Sequence, residues 1–253
     1  MTTKHTERAF EDAIEHHLLT AGGWHKVAPT AFDRERALIP SEVFAFIEAT
    51  QSALWNELRT QHGAGLEAAV LDTLAKSQAS RGTLDVLRHG FKFYGKTIQL
   101  AVFKPAHGLN PDVLAAYAEN RLAVIRQVRF APAGDKDEDQ SVDMVLTLNG
   151  LPIATLELKN PLTHQTVQHA IAQYRARDPR HLLFQFKRGA LVHFAVDPDL
   201  VYMTTFLRGE TTTFLPFNRG ANGGAGNPEH PSGYRTAYLW EEVLARDSFL
   251  DIV

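Results

Sequence analysis

Residues Ser141–Asn160, SVDMVLTLNGLPIATLELKN, constrain this chain more than any other stretch. Val142, Val145, Leu146 and Leu148 predict an apolar strand, and Ile153, Ala154, Leu156 and Leu158 predict its return. Asn149-Gly150 between them is a two-residue hairpin turn, because both residues tolerate positive φ. Pro152 sits at the turnward start of the second strand, where its missing N–H is tolerated. Three charges, Asp143, Glu157 and Lys159, interrupt this apolar hairpin. Charges on such a surface are paired, exposed or bound to a cation, since an unpaired buried charge is costly. Glu157 and Lys159 are two apart and project to one face of a strand. With Asn149 and Gly150 as the turn, Leu148 faces Leu151 and Asp143 falls opposite Leu156, one place out of line with Glu157. A bulge, twist or strand-end departure is needed to bring the two acids together.

The 253 residues suffice for one large domain, or a small one with a helical appendage. A net charge of −3 gives no global basic footprint, so any nucleic-acid binding must use a local patch. The chain has no cysteine, which excludes disulfides and thiolate metal sites. No apolar run approaches a membrane span, and a cytoplasmic protein with no membrane partner is expected.

Upstream, Glu7–Leu19 has the spacing of an amphipathic helix, with Phe10, Ile14, His17 and Leu18 on its apolar side and Ala21-Gly22-Gly23 ending it. Glu7, Glu11 and Glu15 share a face, which by itself reads as a solvated acidic stripe. Trp24 is expected to pack back onto the core. Helices are predicted from Ser41, as N-cap, through Leu58, and from Gly65 to Lys76, with His62-Gly63 as the break. Gly90–Thr97, GFKFYGKT, fits the phosphate-binding pattern G-x-x-x-x-G-K-[ST]. It is expected to be a decoy: Val86–His89 is a poor strand, and Ile98, Leu100 and Val102 alternate as a strand where a P-loop opens a helix. The simpler reading is two strands joined at Tyr94-Gly95-Lys96.

Lys104–Pro111 reads as a loop, Asp112–Glu119 as a short helix capped by Asn110 or Asp112, and Arg121–Phe130 as a strand. After the hairpin, Asn160-Pro161 stops the strand and Thr163–Arg177 forms a helix. Strands are predicted at His181–Phe186 and Ala190–Val196, as a hairpin through Lys187-Arg188-Gly189, and at Val201–Thr205 and Thr211–Pro216. Residues 218–233 form a long loop, expected to be mobile. Tyr238–Val253 closes as a helix without a stop signal, so the natural chain is expected to continue.

An acid at a strand start and E-x-K on the next strand suit metal-dependent phosphodiester hydrolysis. Asp143 and Glu157, with the Leu158 carbonyl, supply hard oxygens for Mg2+. The cation activates water and polarises phosphate, and Lys159 orients that water or stabilises developing charge. Lys104, Arg126, Arg175, Arg177, Lys187 and Arg188 are candidate phosphate contacts.

VDMVLTLNGLPIATLELKNP closely resembles the nuclease module of the restriction (R) subunit of type I restriction-modification enzymes, of the PD-(D/E)xK nuclease superfamily. RLAVIRQVRF, AIAQYR, VHFAVDPDLVYMTTFLRGETTTFLPFNRG, FEDAIEHHLL and YLWEEVLARDSFLDIV carry the resemblance over nearly the whole chain. It implies an α/β fold: a mixed central sheet flanked by helices, plus a helical insertion. One nuclease domain would span 1–253: a helical part over about 1–80, a catalytic core over about 84–216, and a loop and helix over 217–253 leading to a motor. It implies Asp143, Glu157 and Lys159 as catalytic, with a first-helix glutamate completing the acidic site. Glu11 is the choice, with Glu7 and Glu15 open. The family's Q-x-x-x-Y element is matched by Tyr174 but has Ala170 where the glutamine belongs. Gln168, Gln173, Tyr174, Arg175, Lys104 and Arg126 are the DNA-binding candidates. The implied activity is Mg2+-dependent cleavage of double-stranded DNA in defence against foreign DNA. The implied partners are methyltransferase and specificity subunits and helicase motor domains in cis, through which alone ATP enters. The alternatives are a non-catalytic docking or DNA-binding module with a nuclease fold, and an NTPase using Lys96.

Overall fold

The computed structural model describes residues 7–105, 110–160 and 165–253, and of Glu7 the backbone alone. In chain order the elements are α1 (Glu7–Thr20), β1 (His25–Lys26), α2 (Pro40–Thr50), α3 (Ser52–His62), α4 (Leu66–Arg81), α5 (Thr83–His89), β2 (Phe91–Phe93), β3 (Lys96–Ile98), α6 (Pro111–Ala118) and β4 (Leu122–Arg129). Then follow β5 (Ser141–Leu148), β6 (Leu151–Leu158), α7 (Val167–Ala176), β7 (Val192–Val196), β8 (Val201–Thr204), β9 (Leu215–Pro216) and α8 (Arg246–Ile252).

Seven strands form one mixed sheet in the order β1-β4-β5-β6-β7-β8-β9. β1 is parallel to β4, β6 is parallel to β7, and the other neighbours are antiparallel. The fold is thus α/β, consistent with a PD-(D/E)xK-like nuclease core. β5 and β6 are buried along almost their whole length because both faces are covered. One core joins Phe10, Ile14 and Leu18 of α1 and the α2–α5 residues to Met144, Leu146 and Leu156. The other joins Val167, Ala170, Ile171 and Tyr174 of α7 to Ile125, Val145 and Ala195. No helix among the described residues is long and apolar enough to cross a membrane.

The β5–β6 turn is the predicted one, with Asn149 at φ 49° and Gly150 at φ 85°. Its depth is not what a hairpin turn leads one to expect. Asn149 is fully buried and bonds the backbone of Arg121 and Leu100 and the side chain of Asn120. These bonds satisfy both amide groups of the side chain, which is what its burial requires.

Several boundaries differ from expectation. α2 starts at Pro40, with Ile39 rather than Ser41 as N-cap, because Pro is already preorganised for the first helical position. A second break falls at Gln51. Val86–His89 lies in α5. His181–Ala190 is a chain of turns, with Phe184 N–H bonded to the His181 carbonyl and Gly189 N–H to that of Gln185, so no hairpin forms there. β7 pairs parallel to β6 instead, which requires a crossover, and α7 supplies it. The Thr211–Pro216 strand shrinks to β9. The closing helix breaks into a wide turn, Leu239–Val243, and α8. Residues 218–233 are irregular but anchored: buried Asn227 bonds Asp199, Asn218 and Arg219. The predicted stop at Pro161, the helix start at Thr163 and part of the 104–111 loop lie outside the described residues.

The phosphate-loop pattern is a hairpin. β2 and β3 pair around Tyr94 (φ 44°) and Gly95 (φ 79°), and the Lys96 ammonium bonds Glu57 at 2.9 Å. No helix N-terminus follows Lys96, so the NTPase alternative is set aside.

Candidate active site

The turn geometry alone left Asp143 one place short of Glu157, and the fold supplies the missing residue. Leu148 pairs with Leu151 and Thr147 with Pro152, but Leu146 pairs with Ala154 and Met144 with Leu156. Ile153 is the extra residue of a bulge beside Pro152, which has no N–H for the ladder. Carried one residue further, the shifted register sets Asp143 level with Glu157, and directly opposed residues share a face. Asp143 Oδ2 accepts the Leu158 N–H at 2.7 Å, fixing the acid against the end of β6.

Glu157 is fully buried. Its Oε1 accepts from Arg177, with Nε at 3.0 Å and Nη2 in closer contact. Arg177 is itself 2 % exposed, donates to the Ser141 carbonyl at 2.6 Å and lies against the rings of Phe130 and Phe184. Glu157 Oε2 is buried with no hydrogen-bond partner among the described residues. Burial pushes the Glu157 carboxyl up to about 8; Arg177 pulls against that, the Asp143 charge adds to it and Lys159 opposes it. Lys159, two residues on and itself buried, hydrogen-bonds through its backbone N–H to Val196.

Below this pair the polar groups are satisfied. Thr155 Oγ1 meets the Tyr174 hydroxyl at 2.8 Å and His193 Nδ1 at 2.7 Å. Burial holds His193 neutral, its pKa down to about 3. Asp197, just beyond β7, accepts the Val167 N–H at 2.7 Å and so anchors the start of α7.

The acidic stripe on α1 is not solvated. Glu11 and Glu15 are buried, and Arg126 meets Glu11 at 2.7 Å, Asp12 at 2.6 Å and Glu15 at 3.1 Å. Lys26 also pairs with Glu15. The stripe faces β4 because the basic residues that complement it lie there and on β1. The Gln127 amide nitrogen lies 3.3 Å from both Glu11 Oε1 and Asp143 Oδ1, joining the helix to the hairpin.

Asp143 and Glu157 therefore lie level near the end of the hairpin, Lys159 follows two residues on, and Glu11 is linked to Asp143 through Gln127. Among the described residues, one set of three imidazole and carboxylate groups lies within 4.8 Å of one another, and it is Asp135, Asp137 and His181. The Glu11–Asp143–Glu157 set is spread more widely. The pair Asp143 and Glu157 still fits a hard divalent cation: both offer oxygens, and Glu157 Oε2 lacks the partner that its burial demands.

The DNA-contact candidates fare differently. Tyr174 is fully buried and bonded to Thr155, so it supports the sheet and cannot reach DNA. Arg126 is occupied by three carboxylates, and Arg177 is buried on Glu157, so neither presents a cation to phosphate. Arg175 donates to the Thr212 carbonyl, and Lys104 pairs with Asp247 on the surface. Gln168 is exposed and Gln173 half-buried on α7. Arg177 and Gln127 are the residues whose site contacts sequence reasoning missed. Neither belongs to a spacing pattern, and only their partners in space mark them.

The sequence matches the family described as type I restriction enzyme R protein N terminus over residues 4–212. No curated protein matches it.

Proposed function

The chain belongs to the family of type I restriction enzyme R protein N termini, a nuclease domain family, and on that premise we propose that it hydrolyses DNA phosphodiesters with Mg2+. The observation that carries this reading is the β6 bulge, which sets Asp143 opposite Glu157 and leaves Glu157 Oε2 unpartnered. Asp143, Glu157 and the Leu158 carbonyl would hold the cation, with Glu11 completing the acidic edge. When bound, Mg2+ would polarise the phosphate and lower the pKa of a water molecule.

This chain's own groups do the rest. The Leu158 N–H holds Asp143 Oδ2 in place. Arg177 occupies Glu157 Oε1, so the carboxylate offers its other oxygen. The Lys159 ammonium orients the attacking water and stabilises charge on the phosphate oxygens. Gln168 and Gln173 remain the α7 candidates for DNA contact. The partners are double-stranded DNA, methyltransferase and specificity subunits and a helicase motor in cis, with ATP acting through that motor.

Mg2+-dependent plasmid nicking tests the reading. Asp143→Ala and Glu157→Gln are expected to abolish it while the fold, followed by circular dichroism, persists. Nicking at the wild-type rate by both variants would overturn the assignment of Asp143 and Glu157, and a wild-type chain that binds DNA without nicking it would be a docking or DNA-binding module instead.

A further inference from the structure

Gln127 has φ 51°, a left-handed conformation uncommon for a residue other than glycine and found preferentially at functional sites. It sits in the middle of β4, where the regular pairing with β5 is interrupted between Arg126↔Met144 and Val128↔Val142. In an undisturbed strand, neighbouring side chains point to opposite faces. Here consecutive residues both reach Glu11: Arg126 takes Oε2 at 2.7 Å, and Gln127 takes Oε1 at 3.3 Å. The same Gln127 nitrogen donates to Asp143 Oδ1 at 3.3 Å, while its oxygen accepts the Ser141 hydroxyl at 3.1 Å. One amide thus joins the first helix, the start of β5 and a proposed cation ligand.

We infer that Gln127 is a positioning residue of the cation site, tying Glu11 on α1 to Asp143 on β5 through its kinked backbone and its side-chain amide. The inference rests on the proposed cation-dependent reading of Asp143 and Glu157. Two features separate it from a merely structural role. Gln127 is exposed overall, so shortening it opens no cavity. Its backbone conformation is one that glycine adopts without strain.

Mn2+ binding measured by calorimetry, together with the thermal midpoint, tests the inference on this chain. Gln127→Gly is expected to keep or raise the midpoint while weakening Mn2+ binding roughly 10- to 100-fold, the usual loss when a ligand's hydrogen-bond partner is removed. Gln127→Asn, which tolerates the backbone but is one methylene shorter, is expected to lose affinity as well. In a Glu11→Gln background, Gln127→Gly should cost less than it does alone, because part of its action passes through Glu11. Wild-type affinity in Gln127→Gly would overturn the inference. So would an equal loss with and without Glu11, or a lowered midpoint accompanying the loss. Asp143→Asn separates the two levels. If it binds Mn2+ as wild type does, the cation reading fails and takes this inference with it. If Asp143→Asn loses binding and the Gln127 variants do not, the inference alone fails.

Discussion

Asn149-Gly150 and Tyr94-Gly95 turn the chain in the same way, with both residues of each pair at positive φ. Each turn is followed by a strand with a lysine that a motif search would single out, Lys159 just past the end of β6 and Lys96 at the start of β3. The surroundings separate them. β5 and β6 lie in the interior of a seven-stranded sheet, and their charges are buried. β2 and β3 form a two-stranded ribbon whose Lys96 pairs with Glu57 in solvent, both side chains nearly half exposed. A charge held out of water must be matched by another group or by a ligand, whereas an exposed ion pair is screened and contributes little. The lesson is that a motif's chemistry is set by the depth at which the fold places it.

Substitutions made in parallel at the two hairpins would break or sharpen that contrast. The largest effect is expected from Arg177→Met, which leaves the buried Glu157 carboxyl and the Ser141 carbonyl without their donor: about 1–3 kcal/mol lost for each of the two groups by urea unfolding. Lys96→Met at the exposed pair is expected to leave the urea midpoint in place; equal losses would erase the distinction. Next, Lys159→Ala is expected to slow Mg2+-dependent nicking by about 10²–10³-fold, as loss of a group stabilising transition-state charge does. Lys96→Ala should nick at the wild-type rate, and a shared defect would reopen a role for the ribbon.

The turns themselves give a smaller contrast. An alanine Cβ at Gly150 would lie 2.6 Å from the Ile39 carbonyl and 2.7 Å from Val43, while at Gly95 it would meet nothing within 4 Å. Gly95→Ala is expected to cost the left-handed penalty alone, about 1–2 kcal/mol. Gly150→Ala adds an overpacking cost of about 1–3 kcal/mol, readable in the same denaturation experiment.

The smallest effect is in pH. Burial raises the Glu42 carboxyl on α2, beside the Asn149-Gly150 turn, but hydrogen bonds from His25 and Arg121 outweigh that and bring it to about 2. Its folded value lies below the ordinary 4.5, so the unfolded chain binds the extra proton in that window. The stabilisation is therefore present above 4.5 and is lost as pH falls towards 2. Urea midpoints at about pH 5 and about pH 3 should converge in Glu42→Gln. Glu57→Gln, at the open ribbon, should leave the midpoint's acid dependence as it is in the wild type.

Much of the fold was legible along the chain because it follows local rules. The α1 spacing, the Asn110 cap, the Asn149-Gly150 and Tyr94-Gly95 turns and the β4–β6 strands all depend on residues within a few positions of one another. The misread segments depend on distant ones. His181–Phe186 has strand composition, yet its carbonyls close turns, because β7 is already paired with β6 on one side and β8 on the other. Glu11 and Glu15 have the spacing of a solvated stripe, and Arg126, more than a hundred residues away, buries them.

The sequence by itself determined that an acid and an E-x-K pair sit on two strands joined by a tight turn, because side-chain period and turn chemistry are local. It could not align the acids, since a regular ladder left Asp143 opposite Leu156. The tertiary structure decided that alignment. Pro152 cannot complete a regular ladder, and a bulge at Ile153 shifts the register by one residue. It also decided which neighbours press on the pair, Arg177 from the residue just past α7 and Gln127 from β4, because close packing brings together residues with no relation along the chain.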